Sequence, residues 1–104
     1  MKTNDGLTGP RILQTLKKRK DLLDKYSVKR IGLFGSYAMR SATRKSDIGF
    51  LVEFEHPTYD NFSGLIRELE KLFGRKVDVL TPDAVDSIRV PEVAKSIRES
   101  VIYA

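Results

Sequence analysis

At 104 residues, with 40% apolar and 32% charged side chains, the chain is long enough for one soluble domain, expected to span 1–104, and too short for two cores. It has no cysteine, which excludes disulfides and thiolate metal sites, and no apolar run near the ~20 residues that would cross a bilayer. Its net charge of +5, from 19 Lys and Arg against 14 Asp and Glu, favours anionic partners without choosing among nucleotide, nucleic acid and acidic protein.

Residues 1–9 hold Gly6 and Gly9 without periodicity and read as a flexible start; they also lack the apolar stretch of a secretory signal, so a reducing cytoplasm is the expected setting. Pro10 suits the first turn of a helix. After it, Ile12, Leu13, Leu16, Leu23 and Tyr26 recur at helical spacing and predict one amphipathic helix through Tyr26. Within it lies the densest basic run, Lys17-Lys18-Arg19-Lys20, which reads first as a solvated helix face.

Residues 28–34 form a short apolar strand that runs into Gly35-Ser36; 37–41 then read as a brief helix and 42–46 as a polar loop. From Asp47 the alternation is clean. Ile48, Phe50, Val52 and Phe54 share one face, and Asp47, Gly49, Leu51 and Glu53 the other. His56-Pro57 ends that strand, His56 reading as a solvated turn residue.

Residues 60–63 supply capping side chains for a helix traced by Leu65, Ile66, Leu69, Leu72 and Phe73, with Gly74 as its C-terminal cap. Residues 76–80 predict a third strand. Thr81-Pro82 opens a short helix, and Pro91 a last one that would bury Val93, Ile97 and Val101 or Ile102. The predicted order, α-β-α-β-α-β-α-α, gives an α/β (α+β) fold in which helices pack on one small mixed sheet.

Three features point to chemistry. Gly35 removes side-chain bulk where the chain turns sharply and backbone N–H groups could approach a phosphate. Ser36 follows at a predicted helix start, where free donors favour an anion, although a plain turn with a serine cap would look the same. Asp47 opens one strand and Asp78 sits mid-way along another, flanked by Val77 and Val79. If those strands are neighbours, both carboxylates face one cleft beside the turn, a hard-oxygen site suited to Mg²⁺ and triphosphate. The bland alternative has Asp47 capping the loop with Ser46, and Asp78 paired with Arg75 or Lys76. Glu53 shares the Asp47 face but lies six residues on, roughly 20 Å away, too far to share a metal.

The Gly-Ser-Tyr-Ala run, the ten residues from Tyr37 to Ser46, and Ser-Asp-Ile-x-x-Leu-Val-Glu-Phe resemble the minimal nucleotidyltransferases (MNT), small members of the DNA polymerase β-like superfamily. The resemblance continues through 65–84 to the final helix. It implies that Gly35 and Ser36 hold the triphosphate of ATP or another nucleoside triphosphate, and that Asp47 and Asp78 serve as catalytic metal ligands in a two-Mg²⁺ site. The reaction implied is attack of an acceptor hydroxyl on the α-phosphate with release of pyrophosphate. Several members of this family are antitoxins beside a HEPN-domain ribonuclease toxin, and some transfer AMP to a toxin tyrosine; a HEPN partner is therefore implied.

Two positions depart from the family pattern. Met39-Arg40 stands where Arg-Gly is usual, and Gly49 replaces the second acid of Asp-x-Asp, which bridges both metals. Glycine brings no side-chain oxygen, so the metal pair is expected to be weakened and transfer reduced by orders of magnitude. A working adenylyltransferase and an inactive antitoxin or nucleotide-binding subunit thus stand as competing readings, with a nucleic-acid-binding module below both. Whether the chain forms homo- or hetero-oligomers is left open by the sequence.

Overall fold

In a computed structural model, which describes residues 7–43 and 45–104, the first helix begins one residue ahead of Pro10. Thr8 caps it, its Oγ1 accepting from the Arg11 N–H at 3.3 Å, and α1 (Gly9–Lys18) buries Ile12 and Leu16. Of the start expected to be flexible over 1–9, residues 1–6 lie outside the described residues, while Thr8 and Gly9 already cap and open α1. Nor is there one helix through Tyr26. The backbone breaks at Arg19 (φ −114°, ψ 45°) and α2 (Lys20–Lys25) buries Leu22. The spacing explains the break: six residues separate Leu16 from Leu22, which in an unbroken helix would lie about 120° apart around the axis.

Among the described residues four strands follow where three were expected: β1 (Val28–Phe34), β2 (Ile48–Phe54), β3 (Val77–Leu80) and a two-residue β4 (Ile102–Tyr103). Their order is β3-β2-β1-β4, with β1 antiparallel to both neighbours and β2 parallel to β3, so the sheet is mixed as expected. Between β2 and β3 runs α3 (Tyr59–Phe73). Thr58, not the 60–63 segment, caps it by accepting from the Asn61 N–H, and Gly74 ends it in the left-handed region at φ 66° as expected. After β3 come α4 (Pro82–Asp86), capped by Thr81, and α5 (Pro91–Ser100). In α5 Ala94 is buried while Val93 is 46% exposed, and Ile102, expected at the end of that helix, instead pairs with Leu33 in the sheet.

The two faces of the sheet are covered unequally. On one, Ile48, Phe50 and Val52 pack with Ile31 and Leu33 of β1, Val77 and Val79 of β3, and Ile12, Leu16, Leu22, Leu65 and Leu69 of α1–α3. At ~1.5–3 kcal/mol for each large aliphatic side chain removed from water, this is the main source of stability. On the other face Leu51, assigned by its alternation to the polar side, is 5% exposed beneath Val85 and Ala94. The α4–α5 layer is what turns a polar-side position into a core one. Among the described residues no helix is long and apolar enough to cross a membrane.

Candidate nucleotide and metal site

β1 ends in Phe34 and the chain reverses through Gly35, whose φ of 79° lies in the left-handed region that side-chain-bearing residues avoid. A Cβ there would meet nothing within 4 Å, so the backbone conformation, not space, requires glycine, and the turn opens outward. The brief helix expected over 37–41 is only a single closed turn. The Met39 N–H donates to the Gly35 C=O and the Ser41 N–H to the Ser36 C=O, both at 2.9 Å, and Arg40 at φ 60° makes the left-handed closure. Those two bonds use the amides of Met39 and Ser41. The amides of Ser36, Tyr37 and Ala38 stand outside those two bonds. Tyr37 is buried in the main core and anchors the turn from beneath.

Asp47 lies one residue ahead of β2, which starts at Ile48 and not at Asp47 as expected. The Ile48 N–H donates to the Lys76 C=O at 3.0 Å, tying the start of β2 to the start of β3. The parallel register then sets Gly49 opposite Asp78. Neighbouring strands lie about 4.8 Å apart, so the Asp78 carboxylate stands beside Gly49 on the face of Asp47, which is one pleat repeat (~6.6 Å) further back. Both carboxylates are exposed. The loop is closed instead by Thr43 and Ser46, the Thr43 N–H donating to Ser46 Oγ at 2.9 Å, so Asp47 is not its cap. Arg19 pairs with Asp21, Arg30 with Glu53, Lys71 with Glu68 and Arg98 with Asp86, and none of these four pairs uses Asp47 or Asp78. Glu53 is thereby spent on Arg30, and His56 is the turn residue expected, its N–H donating to Ser27 Oγ.

Sequence reasoning missed what fills the gap at position 49. Phe34 is the antiparallel register partner of Gly49, and its ring lies over the glycine. A Cβ built on Gly49 would fall 2.8 Å from ring atoms Cε2 and Cζ and 3.1 Å from Cε1. The aromatic ring thus occupies the space into which a second carboxylate would extend, and would have to swing aside for one. The signal was present in the sequence: a bulky aromatic next to the turn, facing a residue without a side chain.

Among the described residues no three His, Cys, Asp or Glu side chains converge as metal ligands. The donor set is two exposed carboxylates beside an outward-opening turn. It fits one hard divalent cation completed by phosphate oxygens and water, and lacks the bridging acid for a tightly held pair. Open clefts of about 410 and 420 Å³ flank the turn, one between Tyr37, Arg40 and the start of α1, the other between Met39 and the outer side of α5.

The sequence profile of the nucleotidyltransferase domain matches residues 16–104. This chain belongs to the nucleotidyltransferase domain family. Among relatives of this nucleotidyltransferase, MJ1379 of Methanocaldococcus jannaschii, named as a candidate protein adenylyltransferase, is 49% identical over 96 residues, covering 88% of this chain and 93% of the relative. Protein adenylyltransferase MntA of Thermococcus cleftensis is 35% identical over 82% of this chain and 83% of its own. Among solved structures, a candidate minimal nucleotidyltransferase superposes with a TM-score of 0.72 at 23% identity, covering 95% of this chain and 98% of that one. An MNT antitoxin complex with a tri-AMPylated Shewanella oneidensis HEPN toxin superposes with a TM-score of 0.59 at 17% identity, covering 92% of this chain and 71% of that one. These two likenesses establish the fold, that of the minimal nucleotidyltransferases. The family uses a nucleoside triphosphate and a divalent metal.

Proposed function

We propose that this nucleotidyltransferase is the antitoxin of a HEPN–MNT pair in the cytoplasm, a Mg²⁺- and ATP-dependent protein adenylyltransferase slowed by Gly49. The observation that carries the proposal is the parallel register that sets Asp78 beside Gly49, on the Asp47 face, with no side chain where the second acid belongs. Support for the acceptor comes from the relatives named as protein adenylyltransferases and from the AMPylated HEPN toxin seen with an MNT antitoxin. A toxin–antitoxin complex with AMP-PNP, similar in fold, supports ATP.

In this reading the free amides of the turn and the Ser36 hydroxyl hold the β- and γ-phosphates and aim the α-phosphorus at the open face. Asp47 and Asp78 hold the cation, which when bound neutralises charge building on the phosphate oxygens. A tyrosine hydroxyl of the partner approaches in line; its oxygen bonds to the α-phosphorus, the bond to the bridging oxygen breaks, pyrophosphate leaves and the hydroxyl proton passes to solvent. With two acids in place of three, less negative charge draws the cation in, and the rate falls accordingly.

The test is transfer of α-labelled AMP to the cognate HEPN partner in Mg²⁺. Slow labelling that disappears in Asp47→Asn and Asp78→Asn is expected. Labelling indifferent to both substitutions would sink the assignment. The second reading, an antitoxin that acts by contact alone, is favoured by the Phe34 ring over Gly49. It predicts no labelling, with toxin ribonuclease activity still suppressed in the complex.

A further inference from the structure

The turn that carries Gly35 and Ser36 is braced by a segment far from it in sequence, because α1 begins directly against it. Gly9, the first residue of that helix, is buried, and a Cβ built on it would fall 2.5 Å from the Tyr37 carbonyl oxygen. The next nearest atoms are the Tyr37 carbonyl carbon and Leu33 Cδ2, both at 3.4 Å. The obstacle at position 9 is therefore main chain. Phe34 over Gly49 is the opposite case, since a ring edge can rotate, whereas this carbonyl belongs to a turn closed by two hydrogen bonds. The Tyr37 side chain is itself buried in the main core, which removes any slack on that side.

The contact bears on one particular donor. In a trans peptide the C=O and the N–H point in opposite directions. The Tyr37 carbonyl shares its peptide group with the Ala38 N–H, which enters neither of the bonds that close the turn. Gly9 meets the carbonyl from the α1 side, so the Ala38 N–H points away from α1. α1 packs on the sheet face of Ile48, Phe50, Val77 and Val79, and Asp47 and Asp78 alternate to the other face. Away from α1 is thus the side of the two carboxylates.

We propose that Gly9 is a positioning residue for nucleotide binding. Its missing side chain lets α1 bear on the Tyr37 carbonyl, which aims the Ala38 N–H at a phosphate oxygen of the nucleoside triphosphate. The proposal rests on the reading that this turn holds the phosphates. A side chain at position 9 pushes the carbonyl off, and because the peptide group is rigid the N–H swings through the same angle. An amide turned from a charged oxygen gives up one charge-assisted hydrogen bond, which sets the scale of the loss at about tenfold in affinity.

The experiment compares the parent with Gly9→Ala and with Thr8→Ala, which removes the α1 cap and adds nothing against Tyr37. Residual dipolar couplings read the direction of each N–H in the free proteins, and amide shifts during titration with Mg²⁺-ATP read affinity. All three are measured in trimethylamine N-oxide, which favours the compact state and keeps a weakened fold in view. In the parent, ATP is expected to move the amides of residues 36–38. In Gly9→Ala the Ala38 N–H should turn while the α3 and β2 vectors stay, and affinity should fall about tenfold. Thr8→Ala should bind as the parent does. An unturned Ala38 N–H, unchanged affinity in Gly9→Ala, or an equal loss in Thr8→Ala would overturn the proposal and leave the phosphate turn standing. So would failure of Gly9→Ala to fold, which would make Gly9 a residue of the fold alone. A parent whose amides at 36–38 do not respond to ATP would instead remove the phosphate role of the turn, and this proposal with it.

Discussion

Gly49→Asp restores the missing acid and puts the geometry around position 49 under direct test. Two costs follow from the structure in the absence of metal. The new Cβ falls within 3.1 Å of three Phe34 ring atoms, and overpacking of this kind costs about 1–3 kcal/mol. The lower end, about 1 kcal/mol, applies because the obstacle is the far edge of a ring that can rotate. The new carboxylate also stands in register beside Asp78. Two like charges ~5–6 Å apart at an exposed site repel by about 1 kcal/mol. The metal-free variant should therefore be about 2 kcal/mol less stable than the parent, a fall in Tm of about 8–16 °C for a domain of this size. Mg²⁺ reverses the sign of the second effect, since the adjacent acids then share a cation. If binding tightens tenfold, saturating Mg²⁺ adds about 1.4 kcal/mol more to the variant than to the parent, or roughly 6–11 °C. Differential scanning fluorimetry of both proteins with EDTA and with Mg²⁺ reads these quantities directly. A variant as stable as the parent in EDTA, with the same Mg²⁺ response, would refute both the ring contact and the assignment of the metal face.

Arg40→Gly should stabilise the fold by about 0.5–1 kcal/mol in urea denaturation, because it relieves a left-handed residue at φ 60° while giving back some backbone entropy; an unchanged midpoint would contradict it. Gly64→Ala should destabilise by about 1 kcal/mol despite the helix propensity gained, since the three atoms nearest its Cβ all belong to the Tyr26 ring, the first at 2.3 Å. The Arg19 guanidinium, hydrogen-bonded to Asp21, holds that carboxyl below its ordinary 3.8. A depressed pKa contributes stability above the ordinary value, and that contribution is lost as pH falls through the lowered one. In an NMR titration Arg19→Ala should move the Asp21 midpoint back up toward 3.8, and no movement would remove the pair as its cause.

The sequence made β1, β2 and β3 legible because their apolar positions alternate or cluster, and Gly74 and Thr81 mark helix ends by chemistry local to those residues. That β2 and β3 would be neighbours stood only as a condition in the sequence, and the parallel register meets it. What lay beyond reach depended on tertiary placement. β4 is two residues held by main-chain pairing to Gly32 and Leu33, and no side-chain pattern announces it. Leu51 reads as exposed until α4 and α5 cover it. The one-turn closure at Arg40 was hidden because arginine at φ 60° is a conformation that sequence rules assign to glycine or asparagine.

The unequal cover of the sheet has a consequence for how the molecule opens. The layer over Leu51 is held by Val85 and Ala94 with a few half-buried neighbours, whereas the opposite layer seals more than a dozen buried side chains. Partial unfolding therefore follows the thin side, with α4 and α5 detaching while α1–α3 and the central strands persist. Amide exchange should accordingly be faster across α4 and α5 than across α3. Such opening would bare the sheet surface beside Gly49 and Asp78 without moving the strands that carry them. The rigid half of the molecule fixes the exposed carboxylates, and the pliant half is the layer that loosens beside them.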